Sequence, residues 1–159
     1  MKGFHMRRTI DIDVQIDARY SDPKVIIKTD RMTPEVESLI SAIENFIDSD
    51  YPPVSAFDGD RMMLISQREI IRVFLENRKL VVHTVQGDFV VRKSLSELEL
   101  LLNHNRFLRI SRSEVINLYQ VSSFDFSLSG TIHVYFDDGS HTWVSRRYVR
   151  SIQETLGLI

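Results

Sequence analysis

The chain has 159 residues, 43% hydrophobic and 26% charged, the composition of an ordinary globular domain rather than of a disordered tail or a collagen-like repeat. No apolar run approaches the roughly 20 residues of a membrane-spanning helix, no signal-like apolar stretch opens the chain, and the absence of cysteine removes disulfides, thiol catalysis and Cys-based metal sites. The net charge of −2 is uneven: residues 1–60 hold seven Lys/Arg against twelve Asp/Glu, and the remainder holds thirteen against ten, a mild fit of the second part to a polyanion.

From residue 9 to 19, Ile10, Ile12, Val14, Ile16 and Ala18 alternate with Asp11, Asp13, Gln15, Asp17 and Arg19, the period of a strand with one dry and one wet face. A turn at 20–23 and a second strand at 24–29 follow. Thr33-Pro34-Glu35 opens a helix with a hydroxyl cap, a proline at its first position and an early carboxylate. Val36, Leu39, Ile40, Ile43, Phe46 and Ile47 then recur at helical spacing, so one stripe is expected to pack on the preceding hairpin. Pro52 and Pro53 end regular structure, and residues 48–60 read as a linker.

Beyond it, apolar runs at 62–65, 70–75, 80–85, 89–92, 107–110, 113–116, 121–128, 131–136 and 141–144 are separated by turn residues, the rhythm of an all-β module. Two helices interrupt them. Ser94 and Glu97 form a capping box ahead of Leu95, Leu98, Leu101 and Leu102. Ser145 is the expected cap of a last helix running through Val149, Ile152 and Leu156 to Gly157.

Tests for metal and catalytic motifs fail. A calcium loop from Asp11 would need glycine and glutamate where Ile16 and Asp22 stand. Pairing Phe136 with His141 puts His133 and His141 on opposite faces of their hairpin, so no shared metal is expected. Phosphate-cradling, nucleophile-elbow and zinc-helix motifs are absent. No catalytic residue, metal, cofactor or small-molecule substrate is assigned, and the chain is read as a non-enzyme.

Two stretches stand out: Phe107-Leu-Arg-Ile-Ser-Arg-Ser through Asn117, and Val144-Ser-Arg-Arg-Tyr148. In the first, Arg109, Ser111 and Arg112 project around a polar turn. In the second, Arg146 and Arg147 crowd a helix start, where cations are unfavourable unless an external anion offsets them. A solvated face with Arg150 paired to Glu154 is the other reading.

With the strand at 70–75, the S-L-x-E-L helix at 94–98 and the turn-rich strands at 121–144, these stretches resemble the LytTR family, the DNA-binding domain of LytR/AlgR-type bacterial transcription regulators. The resemblance covers roughly residues 60–157. It implies a mainly β fold, an elongated domain of stacked sheets with short helices, that meets successive major grooves through loops. The matching contact positions are Arg78 and Lys79, Ser111 and Arg112 with Arg109 beside them, and Arg146 and Arg147. Arg112 and Arg147 are expected at base edges, and Lys79, Arg109 and Arg146 at phosphates. Arg109 is equally open to an inter-sheet ion pair. Glu114, where the family has an apolar residue, would repel phosphate if it faced outward, and is expected to orient Arg112 instead.

The division expected is a strand–strand–helix extension over 1–58, α+β in class and serving regulation or dimerisation, and the DNA-binding domain over 59–159. The extension is too short for a phosphoacceptor receiver domain, so the chain reads as a stand-alone cytoplasmic regulator. The expected partners are double-stranded DNA with repeated half-sites and a second copy of the chain; the resemblance also allows a membrane-protein inhibitor. The competing reading is a protein-interaction module that binds a signalling partner without touching DNA.

Overall fold

The computed structural model describes residues 10–19, 23–48 and 51–159. Helix α1 (Pro34–Asp48) forms where the Thr33-Pro34 start predicts it, with Glu35 and Glu37 in its first turn. The strands expected before it do not pair in the single chain. Residues 10–17 and 23–29 belong to no ladder, and Ile12 and Ile16 are 85% and 96% exposed. Alternation fixes which side chains share a face, but a strand also needs a partner for its backbone groups. The turn expected at 20–23 falls largely outside the described residues.

Ten strands follow: β1 (Val54–Asp58), β2 (Arg61–Ile65), β3 (Ile70–Glu76), β4 (Lys79–Thr84), β5 (Gly87–Val91), β6 (Phe107–Ser111), β7 (Glu114–Asn117), β8 (Val121–Asp125), β9 (Ile132–Phe136) and β10 (His141–Val144). They form a seven-stranded antiparallel sheet in the order β2-β1-β5-β4-β3-β7-β6 and a three-stranded sheet β10-β9-β8. The first hairpin begins at Val54 and β1 also pairs with β5, so the sheet takes in residues 54–58, ahead of the boundary expected at 59.

Three layers result. Helix α2 (Leu95–Glu99) covers one face of the large sheet, where Leu95, Leu98 and Leu102 join Val73, Leu80, Val82 and Val115 in one core. On the other face Ile71, Ile110 and Ile116 meet Ile132, Val134, Phe136 and Val144 of the small sheet and Ile152 of α3 (Val149–Thr155). Strand β7 lies between the two cores and is buried along its whole length, which explains its lack of alternation. The Ser94 box is formed: Glu97 N–H donates to Ser94 Oγ at 3.1 Å and Ser94 N–H to Glu97 Oε2 at 2.7 Å.

Polar side chains pin the layers. Asn117, fully buried, donates to Ile70 O at 2.7 Å and accepts from Tyr119 N–H. Between the sheets, Glu114 takes Arg72 Nη1 at 2.9 Å and the Thr142 hydroxyl of β10 at 2.7 Å. His83 of β4 sits between Asp88, on its Nδ1 side, and Asp138 of the β9–β10 turn, 2.7 Å from its Nε2.

Candidate nucleic-acid interface

Three tips meet at one end of the large sheet. The first is the two-residue connection between β3 and β4, closed by the Glu76–Lys79 pair. Asn77 and Arg78 both have positive φ there, 49° and 65°, as a type I′ hairpin requires. Glycine is the usual second residue of such a turn, and arginine in this conformation costs about 1 kcal/mol. The strain leaves the Arg78 side chain exposed at the tip.

The second tip joins β6 to β7 through Arg112 and Ser113. Strands β3 and β7 run antiparallel with Phe74 opposite Glu114, and Leu75 N–H donates to Ser113 O at 2.9 Å. The two tips therefore stand side by side, about 10 Å apart at two strand spacings. A bulge between Arg109 and Ser111 bends the strand into the tip. Beneath it, Arg109 donates through Nε to Ser111 O at 2.7 Å, through Nη2 to Arg112 O, and through Nη1 to Glu99 Oε2 at 2.8 Å. Its guanidinium thus builds the turn that presents Arg112. Ser111 does the same from the other side, accepting Ser113 N–H at 3.1 Å.

The third tip follows β10. Ser145 N–H donates to Ile110 O at 2.9 Å, which docks Arg146 and Arg147 beside the end of β6. Ser145 makes no side-chain capping bond, contrary to expectation, because Arg146–Tyr148 form a 3-10 turn ahead of α3. The two cations thus precede the α-helix rather than fill its first turn. Arg146 Nε lies beside Gly130 of the β8–β9 loop, 3.7 Å from where a Cβ would stand, an ordinary contact distance.

Eleven of the thirteen cations of the β region sort into two groups, the exposed Arg61 and Lys93 standing outside both. Arg72, Arg109 and Arg150 are held by Glu114, Glu99 and Glu154, Arg68 by Glu44, and Arg92 and Arg106 lie over Phe57 and Tyr119. Among the described residues Arg78, Lys79, Arg112, Arg146 and Arg147 make no side-chain hydrogen bond or ion pair, and all five are exposed at the three tips. Glu114 does not counter them or orient Arg112: it is 9% exposed and bound between the sheets.

The histidines of the small sheet depart from expectation. Tyr135 is opposite His141 and Trp143 opposite His133, so both imidazoles share the outer face. His133 Nε2 lies 2.9 Å from His141 Nδ1, and the His133 ring stacks on Trp143 at 3.8 Å. Among the described residues no group of three or more His, Asp or Glu is placed to hold a metal ion, and no helix is long and apolar enough to cross a membrane. A recess of about 610 Å³ beside Glu44 of α1, lined also by Arg68, Arg106 and Tyr119, shares no lining residue with the tips.

The sequence singled out the exposed cations of the three tips, but not Arg92 and Lys93, which follow β5 beside Lys79 at the same end of the sheet, and it missed what holds the tips. The Glu99–Arg109 tie has no local signature, since its direction is set by how α2 lies on the sheet.

The model of the LytTr DNA-binding domain family matches residues 60–157. Uncharacterized HTH-type transcriptional regulators of Staphylococcus aureus strains MSSA476, MW2 and NCTC 8325 are each 29% identical over 147 residues, covering 92% of this chain and 98% of their own. A LytTr DNA-binding domain from Bacillus cereus superposes with a TM-score of 0.64 at 22% identity, over 67% of this chain and 97% of that one. That likeness extends to the antiparallel sheets with few short helices, the fold class expected.

Proposed function

The chain belongs to the LytTR family of DNA-binding domains, and from that premise we propose that it is a sequence-specific double-stranded DNA-binding transcription regulator that reads major grooves through its three tips. The observation that carries this reading is the gathering of Arg78, Lys79, Arg112, Arg146 and Arg147, exposed and without side-chain partners, at one end of the sheet. An arginine fork matches guanine O6 and N7, and either cation type serves phosphate. Arg112 and Arg147 take base edges. Lys79 and Arg146 take phosphates, with Arg78 beside Lys79 on its strained turn. Arg109 and Ser111 hold the β6–β7 tip in shape; with its guanidinium taken up inside the turn, Arg109 is a positioning residue rather than a phosphate contact.

The regulator acts in the cytoplasm as a pair of subunits on repeated half-sites, since one short set of tips reads few base pairs. A membrane-protein inhibitor rests on the family resemblance alone. No catalytic role is assigned.

Selection of random duplex DNA by the purified protein tests the reading. An enriched repeat is expected, with Arg112→Ala and Arg147→Ala each losing about 1–3 kcal/mol and relaxing preference at one position. No enrichment, with binding indifferent to salt, would favour a protein partner instead.

A further inference from the structure

The register of the β9–β10 hairpin decides what its two histidines can do. On opposite faces they could share no ligand. On one face their ring nitrogens converge, with His133 Nε2 2.9 Å from His141 Nδ1. The His133 ring is also clamped: it stacks on Trp143 of β10 at 3.8 Å, nearly parallel, and meets the Tyr135 ring at 4.2 Å. His141 crosses it edge-on and is exposed, so its ring has room to turn.

Paired imidazoles are ligands for borderline divalent metals. At the usual metal–nitrogen length of about 2.0–2.1 Å, two nitrogens in neighbouring positions of a square or octahedral shell stand about 2.9 Å apart, and two in a tetrahedral shell about 3.4 Å. The separation here matches the first, the shell that Cu2+ and Ni2+ favour. Asp125 lies opposite His133 on β8. Its carboxyl is held below the usual pKa chiefly by Ser127 and in smaller part by His133, which sets a negative charge beside a bound cation. Two protein ligands fall short of the three or four of a catalytic or structural zinc centre, in keeping with the lack of a larger cluster among the described residues.

We propose that His133 Nε2 and His141 Nδ1 are the two protein ligands of an exchangeable site for a divalent transition-metal cation of the Cu2+ or Ni2+ kind, with water in the remaining positions. In the metal-free pair one of the two nitrogens carries the proton of their hydrogen bond. On binding, that ring passes its proton to its other nitrogen, the His141 ring turns, and both lone pairs point at the cation. The site rests on the hairpin alone and not on the DNA-binding reading, so it is tested without DNA.

Trp143, the only tryptophan, reads the site, because Cu2+ and Ni2+ quench an indole beside them. Titration of the full chain with each metal in a non-chelating buffer gives saturable quenching, with Cu2+ tighter than Ni2+, and Zn2+ competes with the Ni2+ signal. The quenching weakens as pH falls, since protons and metal compete for the ring nitrogens. His141→Ala, at an exposed position that makes no ring contact with Trp143, keeps the metal-free emission and raises the quenching midpoint by about tenfold or more. His104→Ala and His5→Ala leave the midpoint where it is. Quenching that does not saturate, a midpoint indifferent to His141→Ala, or one that moves only with His5 or His104 would overturn the proposal.

Discussion

Arginines 109 and 112 stand three residues apart and do opposite work. Arg109 spends its donors on Ser111 O, Arg112 O and Glu99, whereas Arg112 is exposed without a side-chain partner. Arg109→Ala should therefore lower unfolding stability by about 2 kcal/mol, since it orphans two carbonyls and a half-buried carboxylate. Arg112→Ala should leave stability within about 0.5 kcal/mol and lose DNA affinity alone. Urea unfolding and DNA titration of both variants check the split, and equal stability losses would refute it. The sequence located both residues but left Arg109 open between phosphate and ion pair, because an alternating strand does not reveal which neighbour its side chain will find. Glu114 was misplaced for a related reason. Its partners, Arg72 on β3 and Thr142 on the second sheet, are brought to it only by the fold.

Among the elements, the β3–β4 hairpin sets stability against exposure of a cation. Arg78 has φ 65°, a conformation glycine adopts freely, so Arg78→Gly should stabilise the fold by about 1 kcal/mol while weakening DNA binding. Thermal unfolding and titration test the opposite signs, and a destabilised variant would contradict the strain. Most strand positions were legible from turn residues and apolar runs. The register of β9–β10 was not. Its connection is the three residues Asp137, Asp138 and Gly139, with Gly139 at φ 85° and Phe136 N–H donating to Ser140 O at 2.9 Å. A four-residue loop shifts the pairing by one, and that slip turns His141 to the wrong face. The alternation before α1 was legible as a pattern, but nothing local shows whether a ladder partner exists within one chain.

For the molecule as a whole, the geometry of the tips depends on how the two sheets hold together, because the third tip leaves the small sheet. Asp138 ties them through His83. Burial pushes the Asp138 carboxyl up, but the hydroxyl and N–H of Ser140 together with His83 outweigh it and hold its pKa below the usual value. A lowered carboxylate pKa stabilises the fold fully above the unfolded-state value near about 4, and this contribution fades as pH falls through the folded-state value. Asp138→Asn should accordingly flatten the loss of stability on acidification below about pH 4, as read from urea midpoints across pH. An acid limb as steep as that of the wild type would remove Asp138 from the account.

The five exposed tip cations make the central claim measurable in one titration series, DNA affinity against salt concentration. If all five neutralise phosphate as they line the groove, the log–log slope for the wild type is about −4.5, and the Lys79→Ala, Arg146→Ala double variant falls to about −2.7. A slope near zero, or one that the double variant leaves unchanged, would contradict DNA binding at these tips.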